Sequence, residues 1–338
     1  MPGDSSPAKS AAPASGTVLE VRDLSVEYLV ERGTVLAVDQ VSFDLSAGEF
    51  IGIVGESGCG KSTLLFAIAQ LLVPPAEITS GSVVFKGRNM VGLTDKEMTA
   101  IRWRDLSVVM QSAMNALNPV KSIQAQFADA MQAHGVTSKA EIADRSAEVL
   151  RMVGIDPVHL KSHPHQLSGG MRQRAMIAMA MLFTPDLVIM DEPTSALDVV
   201  AQRSLMVQIK ELQEQLGFAI IFVTHDMSLV SHFSDRLVVM YGGVVAESGA
   251  TRRVFDSPLH PYSVGLMEAF PSIRGPRIPL TGISGSPPNL AQIPPGCRFA
   301  PRCPKVMSRC TETPPELYAV DGTLVRCFLY DGEGAGHG

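Results

Sequence analysis

The sequence predicts an α/β protein. A mostly parallel, buried sheet surrounds one glycine-rich loop, with an antiparallel β subdomain ahead of it, a helical insertion inside it and a small irregular cysteine-rich extension behind it. Three observations carry that prediction. Residues 50–54, 187–190 and 218–223 are short apolar runs, as strands covered on both faces require. Residues 18–28 and 35–45 alternate apolar and polar side chains, as strands with one wet face do. Between the first buried run and a helix-like stretch at 63–69 lies Gly55-Glu56-Ser57-Gly58-Cys59-Gly60-Lys61-Ser62. It reads G-x-x-x-x-G-K-[ST], the phosphate-binding loop of a nucleotide triphosphatase.

Each element follows in order. Residues 1–16 are rich in Pro, Ala and Ser without a period, which predicts a disordered tail. The two alternating stretches form antiparallel strands, and Ala47-Gly48-Glu49 turns the chain into the buried strand before the loop. Residues 81–87 predict another short strand. Thr94-x-x-Glu97 is a capping box that opens a helix running to about residue 104. Residues 106–110 predict a strand that ends at Gln111. Ser138-x-x-Glu141 opens a second capped helix, which ends near Gly154. Residues 94 to about 183 are therefore expected as a mostly helical insertion. The run at 187–190 predicts a central parallel strand ending in Asp191 and Glu192. Residues 199–215 read as a helix, and 218–223 as the next buried strand, which delivers Thr224-His225-Asp226. Residues 237–241 and 244–247 predict a hairpin around Gly242-Gly243. After about residue 257, Pro and Gly become frequent and no strand is expected. That sets a boundary between a nucleotide-binding unit at 17–256 and an extension at 257–338.

The loop's chemistry follows from its residue types. Glycines let successive backbone N–H groups turn inward toward phosphate oxygens, and the helix start behind them adds positive potential. Gly55, Ser57, Gly58, Cys59, Gly60, Lys61, Ser62 and Thr63 are the candidate nucleotide contacts. Lys61 reaches the β- and γ-phosphates and Ser62 offers its hydroxyl to Mg²⁺. Asp191 ends an apolar strand, as a metal-holding acid does in phosphate-loop enzymes, and is assigned to Mg²⁺ through water. Adjacent strand residues point to opposite faces. Glu192 therefore needs the backbone turn at the strand's end to reach an attacking water as general base. His225 lies at the C-terminal end of another buried strand, where open α/β sheets bind ligands, and is a candidate for the γ-phosphate. Gln111, also at a strand end, is a candidate for Mg²⁺ and the γ-phosphate. Ser168-Gly169-Gly170 opens a helix and makes a second anion-facing helix start. One nucleotide can hardly use both starts within one chain. A head-to-tail pair solves this, with each nucleotide between one chain's phosphate loop and the other chain's Ser168 turn.

The bulk properties narrow the class. Length is 338 residues and 46% are apolar, which suits about two globular domains. Lys plus Arg number 28 and Asp plus Glu 34, for a net charge of −6. That argues against nucleic-acid binding through a broad basic face. The longest apolar run, residues 175–183, has nine residues, whereas a membrane span needs about 20. No basic region followed by an apolar stretch opens the chain, so a secretory signal is not expected and a reducing compartment is the default. Four of the five cysteines, Cys297, Cys303, Cys310 and Cys327, are spaced C-x₅-C-x₆-C-x₁₆-C near the C-terminus. In a reducing compartment such a cluster reads as metal binding, with zinc leading on spacing alone.

The ordered set Tyr28, the loop at 55–62, Gln111, Leu167-Ser168-Gly169-Gly170-Met171-Arg172-Gln173, Met190-Asp191-Glu192-Pro193, Ser195-Ala196-Leu197-Asp198 and His225 resembles the nucleotide-binding subunit of an ABC transporter. The resemblance covers about residues 18–250. It implies that Tyr28 stacks on adenine and that Gln111 lies in the loop coupled to the membrane subunits. It implies too that Ser168 and Gly170 contact a partner's ATP and that Asp198 crosses the dimer interface. Met171 stands where the family most often has Gln, and since that helix start acts through backbone N–H groups, activity is expected to survive. Residues 258–262 and 294–304, with His163-Pro164-His165-Gln166, resemble the dipeptide/oligopeptide (peptide/nickel) importer ATPases. That branch implies a [4Fe–4S] cluster on the four cysteines.

The expected function is therefore ATP hydrolysis coupled to import, at the cytoplasmic face of a membrane. The implied partners are a second nucleotide-binding subunit, expected as a paralogue, two transmembrane permease subunits and an extracytoplasmic substrate-binding protein. Peptide leads as substrate, with nickel and oligosaccharide as alternatives. A soluble, non-transport ABC ATPase is the rival class, usually marked by two cassettes in one chain or a long coiled-coil insert, and neither is present here.

Overall fold

The computed structural model describes residues 16–31, 33–111, 116–195, 197–269 and 282–332. The strands in chain order are β1 (Thr17–Val30), β2 (Gly33–Ser46), β3 (Phe50–Val54), β4 (Ala76–Phe85), β5 (Arg88–Asn89), β6 (Leu106–Val109), β7 (Leu187–Asp191), β8 (Ala219–Val223), β9 (Arg236–Tyr241), β10 (Val244–Ala250), β11 (Tyr318–Val320) and β12 (Thr323–Val325). Among the described residues they form a four-stranded sheet, β2-β1-β4-β5, and an eight-stranded sheet, β11-β12-β10-β9-β3-β8-β7-β6. The first is antiparallel throughout. In the second, β9, β3, β8, β7 and β6 run parallel, and β10, β12 and β11 close one edge antiparallel.

The helices are α1 (Lys61–Ile68), α2 (Asp95–Ile101), α3 (Ile123–Ala133), α4 (Lys139–Met152), α5 (Gly169–Ala180), α6 (Val199–Leu216), α7 (Met227–Phe233), α8 (Thr251–Asp256) and α9 (Pro261–Glu268). Thr94 and Glu97 make the reciprocal capping box at α2. That helix stops at Ile101 rather than near 104, because Trp103 takes a positive φ of 65°. Ser138 caps α4 by accepting from the Glu141 N–H.

Strand pleating sorts the core into two layers. Ile51, Ile53, Ile189, Ile221 and Val238 face one way, into a cluster with α1 and with Leu19, Val21 and Val41 of the antiparallel sheet. Phe50, Val54, Val188, Met190, Ile220 and Phe222 face the other way, against side chains of α3, α4, α5, α6 and α7. Both faces of β3, β7 and β8 are covered, which is why their sequences read as continuous apolar runs.

The strand expected at 106–110 is present as β6, which pairs with β7 in the main sheet inside the mostly helical 94–183 stretch. Two expectations are corrected. Strands do not disappear after residue 257. β12 pairs with β10 through Glu247↔Val325 and Ser248↔Leu324, so the extension continues the cassette's sheet. Each of these strands has three residues, too short for a period to show. The composition predicts a disordered tail over 1–16. Residues 1–15 lie outside the described residues, but Gly16 O accepts from the Ala47 N–H at 2.9 Å and is tied to the fold.

Candidate active site

The phosphate loop joins β3 to α1. Gly55 has φ 151° and Gly60 has φ 101°, in the left-handed region that favours glycine. A Cβ at Gly55 would meet Met240 O at 2.2 Å, and one at Gly60 would meet Ala37 O at 2.2 Å. The loop must lie this close to the neighbouring backbone, so glycine is required twice over. Lys61 is buried, and its Nζ donates to Gly55 O at 2.8 Å and Glu56 O at 2.9 Å. It closes the loop as an ammonium wrapped by carbonyls.

The two carboxylates at the end of β7 sit differently. Asp191 is buried. Burial pushes its carboxyl above the usual carboxylate range, and the hydrogen bond from Ser62 pulls it partly back. Its Oδ1 has no hydrogen-bond partner. A buried carboxylate oxygen without a donor, beside a serine hydroxyl, is the kind of hard oxygen set that Mg²⁺ takes. Glu192 adopts φ 46°, uncommon for a residue with a side chain. That reversal turns Glu192 into the cleft, while Asp191 stays buried behind it beside Ser62. Gln111 Nε2 donates to Glu192 Oε2 at 2.8 Å, and His225 Nδ1 lies 3.4 Å from Glu192 Oε1. Three residues from three strand ends thus meet at one carboxylate.

Gln111, Glu192 and His225 line one cleft of about 600 Å³ with Tyr28, Gly55, Ser57, Gly58, Gly60, Lys61, Ser62 and Thr63. The Tyr28 hydroxyl is hydrogen-bonded to Thr63 Oγ1 at 3.1 Å, which holds the ring at the mouth of the loop. Cys59 faces inward, buried against the loop. Val35, Ala37 and Leu290 also line the cleft. No local pattern marked them, and Leu290 arrives from the extension.

Ser168 caps α5, its Oγ accepting from the Met171 N–H at 3.2 Å. With Gly170, Gly154, Asp156, His159 and Arg174 it lines a second cleft, which shares no lining residue with the first. Gly169 is the first residue of α5. Asp198 caps α6 by accepting from the Ala201 N–H at 2.9 Å. The buried Gln173 of α5 donates to Pro193 O, and Gln202 donates to Thr194 O at 3.0 Å. The segment after Glu192 is therefore tied to α5 and α6.

The four C-terminal cysteines are free thiols that converge on one cavity of about 10 Å³, with His260 on its wall. Burial pushes the Cys297 and Cys303 thiols up and Cys327 up to about 11. The metal expectation finds no support here. Among the described residues no group of three or more His, Cys, Asp or Glu is arranged to hold a metal ion. The donors are assembled in kind, but the space between them is about that of one water.

Comparison with known proteins now bears on this geometry. The ABC transporter family matches residues 38–195, and the oligopeptide/dipeptide transporter C-terminal region matches residues 246–310. The chain is 44% identical to the dipeptide transport ATP-binding protein DppD of Bacillus subtilis, over 93% of this chain and 95% of the relative. It is 42% identical to the oligopeptide transport ATP-binding protein OppD of Salmonella typhimurium, over 95% and 96%. In structure it resembles the bacterial ABC transporter cassette MJ0796, solved as a dimer and, after hydrolysis, bound to ADP and Pi. The TM-score is 0.63 with 29% identity, over 69% of this chain and 99% of that one. Fold, motif order and relatives agree, and the chain belongs to the ABC transporter ATP-binding subunits of the dipeptide/oligopeptide transporter family.

Proposed function

We propose that this chain is the ATP-hydrolysing subunit of an importer of dipeptides or oligopeptides. Two of its relatives are named for dipeptide and oligopeptide transport, which supports peptide over nickel or oligosaccharide. Among the described residues no helix is long and apolar enough to cross a membrane. The proposed partners, by similarity to the peptide transport subunits, are two permease subunits, an extracytoplasmic binding protein and a second cassette, with this chain at the cytoplasmic face. The cassette is assigned to residues 17–256 and the extension to 257–338.

The observation that carries the mechanism is the meeting of Gln111 and His225 at Glu192, in the cleft that Lys61 closes. Tyr28 stacks on the base. The backbone N–H groups of the loop and Lys61 hold the phosphates. Ser62, Gln111 and, through water, Asp191 would hold Mg²⁺, which supplies charge neutralisation on the phosphoryl group. Glu192 takes a proton from water as its oxygen attacks the γ-phosphorus in line, and the bond to the β-phosphate oxygen breaks. Gln111 and His225 fix the Glu192 carboxylate, and His225 contacts the γ-phosphate. Ser168, Gly169 and Gly170 grip the ATP held by the partner cassette, and Asp198 crosses to it. Phosphate release by wild type and by Glu192→Gln tests this reading. Retained ATP binding with little hydrolysis supports it, and wild-type release removes Glu192 from the base role.

In the same reading the four cysteines hold an iron–sulfur cluster, with zinc as the alternative. Their convergence on one cavity supports this; a cluster requires the cavity to widen, whereas a single zinc ion does not. A brown sample containing iron supports the cluster, a colourless zinc-bearing one supports zinc, and a metal-free active preparation overturns both.

A further inference from the structure

The phosphate loop is held from outside the cassette's own motifs. Glu56 is gripped at three points. Its carboxylate accepts two bonds from Arg302, Nη1 to Oε2 at 2.8 Å and Nη2 to Oε1 at 2.9 Å. Its N–H donates to the Tyr262 hydroxyl at 2.9 Å. Its carbonyl accepts from Lys61 Nζ at 2.9 Å and from the Cys59 N–H at 3.3 Å. Only the last of these points is local. Arg302 and Tyr262 both belong to the extension.

Arg302 is fully engaged. Its Nε donates to Ser284 O at 2.8 Å, Nη2 also to Ile283 O at 3.2 Å, and Nη1 also to the Tyr241 hydroxyl at 3.1 Å. The guanidinium lies over the Tyr241 and Phe299 rings. Its side chain is 6% exposed, and the Glu56 carboxylate raises its already high pKa. Tyr262 is wholly buried and packs edge-on against Phe299. A parallel strut stands beside this one. Arg298 pairs with Asp39 and donates to Gly242 O, while Gly243 N donates to Cys59 O at 3.0 Å. The extension therefore meets the loop directly at Glu56 and reaches Cys59 only through the Gly242-Gly243 turn.

We propose that Arg302 and Tyr262 are positioning residues for nucleotide binding, acting through Glu56. Fixing the Glu56 carboxylate and N–H sets the orientation of the Glu56 carbonyl. That carbonyl and Gly55 O in turn set where Lys61 stands before ATP arrives. A loop preorganised this way loses less entropy on binding. Neither residue touches the reacting atoms, so the effect falls on affinity rather than on the chemical step. The proposal rests on the loop at 55–62 binding ATP.

The test measures binding of a fluorescent ATP analogue with Mg²⁺ by the full chain, and ATP hydrolysis in the assembled transporter. Arg302→Gln is expected to raise Kd and KM about tenfold, while kcat at saturating ATP changes less than about twofold. Tyr262→Phe, which removes only the hydroxyl, gives a smaller shift of the same kind. Combining Arg302→Gln with Glu56→Gln is no worse than the weaker single variant by more than about twofold, because both break one contact. Arg302→Lys keeps the charge without the fork and falls between wild type and Arg302→Gln. If Arg302→Gln fails to fold, Arg302→Lys and Tyr262→Phe decide by the same KM-against-kcat split. Wild-type affinity in these variants, or effects of Arg302→Gln and Glu56→Gln that multiply, overturns the proposal. Lys61→Ala separates the two readings: if it binds nucleotide normally, the loop assignment fails, whereas unchanged affinity at Arg302 alone sinks only the positioning role.

Discussion

Two helix starts, those of α1 and α5, line clefts of their own, and the two clefts are unlike. At α1 the loop carries a buried lysine, and the end of β7 adds a buried aspartate with one unpartnered oxygen and a glutamate met by Gln111 and His225. At α5 the cleft offers Ser168, Gly170 and backbone N–H groups, with Asp156, His159 and Arg174 around them. The Asp156 carboxylate already caps the next turn by accepting from the Val158 N–H at 2.8 Å. The first cleft is equipped to move a proton and stabilise developing charge. The second has neither a buried lysine nor a paired carboxylate of that kind. Such a division makes sense when each cleft is half of a shared site, the chemistry coming from one chain and the closing contact from another.

The largest effect should come from removing the base. Glu192→Gln should lower phosphate release by about 10²–10⁴-fold with ATP binding retained; equal loss of binding would place Glu192 in the holding of nucleotide instead. Next is the loop backbone. Gly60→Ala adds a Cβ 2.2 Å from Ala37 O at a positive φ. Strain of about 1–3 kcal/mol plus that clash should lower thermal stability and ATP affinity together. A wild-type melting temperature would show that the loop tolerates a side chain there.

Asp191→Asn sharpens the contrast through pH. Burial raises the Asp191 pKa in the folded protein, so the folded state holds that proton more tightly than the unfolded one. In metal-free protein the cost of ionising it is absent below the unfolded value of about 3.8. It accumulates as pH rises from there to the raised folded value and is constant above it. The difference in melting temperature, Asn variant minus wild type, should therefore increase with pH and shrink when Mg²⁺ is added. A flat difference would remove the buried-charge interpretation. The smallest effect belongs to the second cleft. Ser168→Ala removes a helix cap worth about 1 kcal/mol and should weaken ATP-dependent pairing more than ATP binding by the separate chain. Equal loss of both would make Ser168 part of its own chain's site.

The phosphate loop was legible because its requirements are local: glycines at fixed offsets, a lysine and a serine between a buried strand and a helix. The same holds for β3, β7 and β8, whose coverage on both faces writes itself into continuous apolar runs. Glu192 was half legible. Its place at a strand end was visible, but its left-handed backbone turn was not. What could not be read was contact across long separations. Arg302 reaches Glu56 over 246 positions, and Leu290 enters the cleft with no pattern to announce it. β11 and β12, three residues each, fall below any periodic signal. The cysteines were legible as a set, yet spacing said nothing of how closely their sulfurs approach.

Whether two cassettes close on ATP is the most direct test of the shared site. Glu192→Gln chain, mixed with its partner cassette and saturated with Mg–ATP, should sediment as a pair and return to separate subunits when nucleotide is removed. Ser168→Glu, which places a carboxylate against the phosphates, should abolish that pairing. Subunits that stay apart at saturating ATP, or a pair indifferent to Ser168→Glu, would contradict the shared site.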